Sequence, residues 1–392
     1  MGESSYTIKI KWSHTPSPPP ITDYLSLSSP MNYPFATVHF SGRDVEIAGI
    51  LDGSASPLTS FESSSFSFIR EWCSGRDFFT QHTSGSTGPP KSISISRTAM
   101  TGSAKLTQQA LNLRAGDTAL LCLDPNFIAG KMMIVRAFVT GMKLAAIEPS
   151  LNPLEKLNPN LQIDFVALIP SQLTEILNSD SRGRLNGIRK IIIGGAPLNE
   201  PTRNIITEIE AQVYATYGMT ETVSHIALQA LNGNLMSDYF RVLPGVTINI
   251  DDRGCLRIKT PFQENEVTTN DLVEIKNANE FKWIGRFDNV INTGGIKVIP
   301  EKLEVEIQQI LSVMGVSNKS VISSVPDPTF GETIVLLIEG ELQLPINRVI
   351  SSLSEKLPRY HVPKRILTNA TIVRTENGKV NRPETKMQIE GR

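Results

Sequence analysis

Five short stretches of the chain bring together residue types that could do chemistry. The densest is Thr83-Ser84-Gly85-Ser86-Thr87-Gly88-Pro89-Pro90-Lys91, with four hydroxyls, two glycines and one lysine in nine residues. Glycines let backbone N–H groups bend toward an anion, hydroxyls donate further hydrogen bonds, and lysine adds a point charge. A polyphosphate requires that combination. The stretch is not a Walker A motif, because the position five after Gly85 is Pro90 rather than glycine. A P-loop NTPase or kinase therefore loses its main support. A flexible Ser/Gly linker is the plain alternative, but Pro89 and Pro90 stiffen its end and apolar segments flank both sides.

The other four stretches are less specific taken singly. Gly194-Gly195-Ala196-Pro197 follows an apolar strand ending at Ile193, where a parallel sheet presents ligands; a plain strand-to-helix turn reads equally well. Tyr217-Gly218-Met219-Thr220-Glu221-Thr222 ends the next strand, and by itself Tyr217 reads as a core aromatic. Thr269-Asn270-Asp271 and Gly285-Arg286 are tied together by arithmetic: if 277–280 is a hairpin turn, its midpoint lies halfway between positions 271 and 286. Antiparallel pairing then sets Asp271 opposite Arg286. The competing reading is a surface salt bridge of little worth. In Arg374-Thr375-Glu376-Asn377-Gly378-Lys379-Val380-Asn381-Arg382 the Asn-Gly pair signals a tight turn, so Lys379 projects from a hairpin tip, where a lone lysine is by default a solvated charge.

The elements that must position these residues are legible as periodicity. Apolar runs at 118–124, 144–148, 165–169, 189–193 and 213–217 read as strands, and 106–113, 131–140, 170–178 and 201–212 as helices. Alternating β and α with near-continuous apolar strands predicts an α/β fold whose mostly parallel sheets are covered by helices. Beyond about 244 the character changes: 248–258 and 271–283 read as antiparallel hairpins, and a short α+β segment follows with a helix opened by Pro300. The first eighty residues are the least informative; 16–20 and 26–30 read as loops or an arm, and 54–67 is again Ser-rich.

Composition narrows the class. The 392 residues make two to three domains at roughly 150 residues each. Lys+Arg 38 against Asp+Glu 39 leaves a formal charge of −1, which argues against a nucleic-acid partner. No apolar run approaches the roughly 20 residues needed to span a bilayer, so stable membrane insertion is not expected. The first residues lack a signal-peptide core, and Cys73, Cys122 and Cys255 show no paired spacing for zinc or a disulfide framework. A soluble, reduced, cytoplasmic protein is the expectation.

Taken in order, the five stretches resemble the motifs of the adenylate-forming superfamily: acyl- and aryl-CoA synthetases, luciferases and adenylation domains. The resemblance spans 83–382, about three quarters of the chain. It implies a large N-terminal domain, 1–287, of helix-covered sheets with a β-hairpin subdomain, and a small mobile α+β domain, 288–392. Only 82 residues precede Thr83, fewer than most relatives carry, so the first subdomain is expected to be shortened.

By the same resemblance the cofactors are ATP and Mg2+, with CoA as co-substrate. Thr83, Ser84, Gly85, Ser86, Thr87, Gly88 and Lys91 grip phosphate. Gly194, Gly195, Ala196 and Pro197 line the adenine pocket, Tyr217 and Gly218 abut the base, and Thr220 contacts phosphate. Glu221 holds magnesium, as a hard cation wants carboxylate oxygen. Asp271 and Arg286 take the ribose hydroxyls, Asp288 is the hinge, Gly294 and Gly295 line the pantetheine tunnel, and Lys297 stands near phosphate. Lys379 is the catalytic lysine, bridging the attacking carboxylate and the α-phosphate. A ligase that makes an acyl-adenylate and then a CoA thioester follows.

Within the superfamily, Tyr217-Gly218-Met219-Thr220-Glu221-Thr222-Val223-Ser224-His225 is similar to the version in o-succinylbenzoate–CoA ligases of menaquinone synthesis. The second carboxylate of o-succinylbenzoate needs a cationic or hydroxyl-rich pocket. Lys131, Arg136, Ser224 and His225 are candidates for it, with Phe127 as an aromatic wall. Lys131 and Arg136 read equally well as helix-surface charges, and His225 as a hydrogen-bonded core histidine. A ligase for a different acid shares every nucleotide motif. A non-catalytic adenylate-binding protein is expected to lack Glu221 or Lys379, yet both are present.

Overall fold

A computed structural model describes residues 33–82, 92–198, 200–375 and 379–390. The phosphate-loop stretch 83–91, the arm segments 16–20 and 26–30, and the Asn377-Gly378 turn lie outside the described residues.

The chain opens with strands β1 (Thr37–Phe40) and β2 (Arg43–Glu46), then helices α1 (Ile47–Asp52) and α2 (Ser60–Cys73). The hairpin β3 (Phe78–His82) and β4 (Ser92–Ser96) flanks 83–91 and leads into α3 (Arg97–Leu111). An alternating run follows: β5 (Thr118–Leu121), α4 (Ile128–Thr140), β6 (Lys143–Ala146), β7 (Phe165–Leu168), α5 (Pro170–Leu177), β8 (Lys190–Ile193), α6 (Glu200–Ile206) and β9 (Gln212–Gly218). Next come β10 (His225–Ala230), β11 (Phe240–Val242), β12 (Thr247–Ile250), β13 (Cys255–Lys259), β14 (Val267–Asn277) and β15 (Glu280–Arg286). The last part holds β16 (Ile291–Thr293), β17 (Ile296–Val298), α7 (Pro300–Val313), β18 (Ser320–Asp327) and β19 (Gly331–Ile338). It ends with α8 (Ile346–Lys356), β20 (Arg365–Leu367) and α9 (Arg382–Glu390).

The expected α/β architecture is present as a 13-stranded sheet, ordered β12-β13-β14-β15-β11-β10-β9-β8-β7-β5-β6-β1-β2. Pairings from β1 through β6, β5, β7 and β8 to β9 are parallel. Those from β9 to β12 are antiparallel. The two expected hairpins are therefore not a separate sheet: β11 joins them to β10, and the ladder continues unbroken. Parallel strands covered on both faces are apolar at every position. Thus Ile191 and Ile193 of β8 pack with Val166, Leu168, Leu173 and Ile206 on one face, while Ile192, also buried, faces the other way.

Three element boundaries differ from expectation. The Ser-rich segment 54–67 contains most of α2 rather than a loop. Thr59 Oγ1 caps it by accepting from the Glu62 N–H, and Phe61, Phe66, Phe68 and Ile69 are buried. Serine is tolerated in a helix whose apolar face is paid for by packing. The helix expected at 106–113 begins at Arg97, where the Ser96 hydroxyl caps the Ala99 N–H. The helix expected over 201–212 stops at Ile206; the following turn buries Ile209 and Ala211 on its way to β9.

A second sheet, β17-β16-β19-β18 with β20 on β19, has its own core of Leu303, Ile307, Ile310 and Leu311 from α7 against Ile322, Ile334, Leu336 and Val349. Each such side chain contributes about 1.5–3 kcal/mol by leaving water. Among the described residues no helix is long and apolar enough to cross a membrane.

Candidate active site

Strands β8 and β9 end at neighbouring points, and their following loops form one rim. After β8, Gly195 takes φ +100°, a conformation that favours glycine. A Cβ on Gly194 would come within 2.7 Å of Thr216 Oγ1, which itself donates to the Ile193 carbonyl. Gly194 and Ala196 are half-buried, Gly195 and Pro197 exposed.

At the end of β9, Tyr217 is buried and its hydroxyl donates to Asp271 Oδ2 at 2.6 Å. Burial first, and then the Asp271 charge, hold this phenol well above its ordinary range. Its ring packs edge-on against Phe281 and tilted against Phe240. Gly218 comes so close to the next strand that a Cβ would fall 2.4 Å from the His225 Cα and the Ser224 carbonyl oxygen.

Between them Thr220, Glu221 and Thr222 form one 3-10 turn. The buried Thr222 hydroxyl accepts from the Met219 N–H at 3.0 Å and lies 2.8 Å from the Ser224 carbonyl. Val223 has φ +69°, a strained geometry for a β-branched residue that costs about 1–3 kcal/mol. From outside, Gln263 Nε2 donates to the Glu221 carbonyl at 2.9 Å. The Glu221 side chain is exposed, and no hydrogen bond or ion pair to the described residues engages it. It is thus available to a hard cation. Among the described residues no cluster of three or more His, Cys, Asp or Glu could hold a metal, so such a cation would draw its other oxygens from ligand and water, as Mg2+ does.

The hairpin arithmetic is matched: Asp271 and Arg286 are register partners across β14 and β15. Arg286 Nη1 lies 3.9 Å from Asp271 Oδ1, and Nη2 is 2.5 Å from Asp288 Oδ2 in the turn that follows. Asp271 is buried, and its backbone N–H donates to Thr269 Oγ1 at 3.0 Å. Lys379 reaches the same place. Its flanks pair through Arg374 and Val380, and Thr375 N–H donates to the Lys379 carbonyl at 2.8 Å. Lys379 is exposed, yet its ammonium feels Asp271, Arg286 and Glu221; desolvation pulls its pKa down, while the two carboxylates oppose that. Gly294 and Gly295 form the β16–β17 turn with φ +58° and +80°, and Lys297 is exposed on β17.

The four candidates for a second carboxylate separate. Lys131 Nζ donates to the Thr80 carbonyl at 3.2 Å and sits near the Phe68 ring, beside the strand that enters 83–91. Phe127, just before α4, is 42% exposed. Arg136, five residues on from Lys131, faces the interior and is 2% exposed. It donates to Ser224 Oγ at 2.5 Å, reaches Thr107 Oγ1 at 3.4 Å, and lies 3.4 Å from His225 Nδ1. His225 Nε2 is 3.1 Å from the same Thr107 hydroxyl. Burial pushes Arg136 down to about 9, still charged at neutral pH. Burial and then Arg136 hold His225 well below its ordinary 6.5, so it is neutral. No carboxylate among the described residues pairs with Arg136. Thr107 is the member that sequence reading missed; one threonine in an amphipathic helix carries no signal.

Residues 42–264 match the AMP-binding enzyme family. A 2-succinylbenzoate–CoA ligase of Lactococcus lactis subsp. lactis is 24% identical over 327 residues, 78% of this chain and 70% of that protein. A 3,4-dihydroxybenzoate–[aryl-carrier protein] ligase of Bacillus anthracis is 27% identical over 343 residues, 86% and 79% of the two chains. Among solved structures, the acyl-CoA synthetase (AMP-forming)/AMP-acid ligase II-like protein of Dyadobacter fermentans is 36% identical, with a TM-score of 0.59, 86% of this chain and 97% of that one being covered. Fold and relatives together define the class, an AMP-forming acyl- or aryl-CoA ligase. The chain belongs to the AMP-binding enzyme family.

Proposed function

We propose that this enzyme activates an aromatic acid carrying a second carboxylate, with o-succinylbenzoate the best fit, and passes it to CoA, the step used in menaquinone synthesis. The observation that carries the reading is Arg136: a buried guanidinium that, among the described residues, is bonded only to neutral groups. A buried charge without a counter-charge is costly. A substrate carboxylate seated against Arg136, Ser224 and His225 would supply the missing anion. An acid without that group leaves the cost standing.

In the proposed reaction the substrate carboxylate attacks the α-phosphorus of ATP, the bond to the bridging oxygen breaks, and pyrophosphate leaves. The thiol sulfur of CoA then attacks the acyl carbon and AMP leaves. Positioning and charge neutralisation do most of the work. Thr83, Ser84, Gly85, Ser86, Thr87, Gly88 and Lys91 would take the outer phosphates and Glu221 the magnesium, which supplies charge neutralisation when bound. The adenine would lie between Tyr217 and the Gly194–Pro197 loop, and the ribose against Asp271 and Arg286. Lys379 would bridge carboxylate and α-phosphate in the first step. For the second, the segment from 288 onward would turn about Asp288, withdrawing Lys379 and presenting Gly294, Gly295 and Lys297 to CoA. Each ligand favours the orientation it contacts better.

The test compares kcat/KM for o-succinylbenzoate and benzoate in the native enzyme and in Arg136→Met, which keeps the volume and removes the charge. The native enzyme is expected to prefer the dicarboxylate. The variant should lose about two decades on it, the usual penalty for removing one partner of a buried charged contact, and stay within a few-fold on benzoate. Equal losses on both acids would remove Arg136 from recognition.

A further inference from the structure

Three separate parts of the molecule meet at Glu301, in the first turn of α7. Its Oε1 accepts a hydrogen bond from Asn289 Nδ2 and lies 3.3 Å from Arg382 Nε. Asn289 closes the turn that contains Asp288, and Arg382 opens α9 three residues after Lys379. The other oxygen, Oε2, is buried and has no hydrogen-bond partner among the described residues. It is turned toward Gly285 of β15, where a Cβ would lie 2.6 Å from it and 2.4 Å from Ile299 Cγ2.

An unsatisfied buried carboxylate oxygen costs about 1–3 kcal/mol and calls for a reason. Neutralising Arg382 is not that reason. Glu304, one turn along α7, already receives Arg382 Nη2 at 2.9 and 2.8 Å, and Arg382 Nη1 donates to the Ile322 carbonyl at 2.8 Å. What Glu301 alone adds is a link from the base of the Lys379 hairpin to the turn at Asp288 and to β15 of the large sheet.

We propose that Glu301 is a positioning residue, a latch that holds the Lys379 segment on the side of Asp271 and Glu221 for acyl-adenylate formation and lets go for thioester formation. The unpaired oxygen suits a contact that must open, because it gains water when Glu301 leaves Gly285. Gly285 is the matching seat: only a residue without a side chain admits Ile299 and Glu301 so closely. The latch rests on the proposed two-step reading, so its test has one readout that does not need the reaction.

Glu301→Ala, which leaves the Glu304–Arg382 pair in place, is expected to speed amide hydrogen exchange at 287–290 and at 379–382 together, with β18 and β19 unchanged. In the reaction, acid-dependent pyrophosphate release should fall about tenfold, the worth of one such hydrogen bond, through kcat rather than the KM for ATP. Thioester formation from supplied acyl-adenylate should hold or rise. Gly285→Ala should reproduce the same split by wedging the seat without touching charge. Unchanged exchange at 379–382 in Glu301→Ala, or equal loss of both half-reactions, would overturn the latch. If the native enzyme activated no acid at all, the functional reading would fail, and the exchange result would still decide the latch.

Discussion

At the scale of single residues, the buried group around Arg136 has a consequence in pH. His225 is neutral inside the fold, with its pKa held below the ordinary 6.5 by burial and by Arg136. Arg136 of α4, Thr107 of α3 and the hydroxyl of Ser224 all face it, and none of them is an acid. The unfolded chain therefore binds the proton that the folded chain refuses, and stability falls as pH drops below 6.5. The slope should approach about 1.4 kcal/mol per pH unit for this one group, and thermal melts of His225→Gln should show it flattened. An unchanged slope would mean that another histidine carries the effect. Part of this group was readable beforehand. Lys131 and Arg136 were both legible as candidates for one pocket; that they stand about 140° apart around α4, with Arg136 the one facing inward, needed the neighbours of α4. The Asp271–Arg286 pair was readable from the turn arithmetic, and it holds because two irregularities in the ladder, between Ile275 and Asn277 and between Leu272 and Val273, cancel.

At the scale of elements, the β9–β10 crossing sets the geometry of the Glu221 turn. Gly218→Ala would drive a methyl against the backbone of Ser224 and His225. Overpacking of that kind costs about 1–3 kcal/mol, so the variant should melt several degrees lower and lose acid-dependent pyrophosphate release as the turn moves. A variant with native melting temperature and rate would show that the crossing has slack. Sequence patterns found the strands of this region but not their sheet. Alternation in 248–258 and 271–283 marks hairpins; that β11, a three-residue strand, stitches them to β10 is a long-range fact. The helix α2 was hidden by its serines, whose local preference is outweighed once Phe61, Phe66 and Ile69 find a core.

At the scale of the whole molecule, chain order and charge balance pointed to an enzyme of small molecules, and the α/β sheet with relatives in the AMP-binding family bears that out. What sequence could not supply is simultaneity. Lys379 lies more than a hundred residues beyond both Asp271 and Glu221 in the chain, yet its ammonium feels both carboxylates in the folded protein. The central claim is that this lysine is delivered for the first half of the reaction only. The direct measurement is to separate the two halves in Lys379→Ala: acid-dependent pyrophosphate release, and conversion of supplied acyl-adenylate to CoA thioester. Loss of the first by about two to three decades with the second retained is the expected result. Equal loss of both halves, or a native rate of pyrophosphate release, would contradict it.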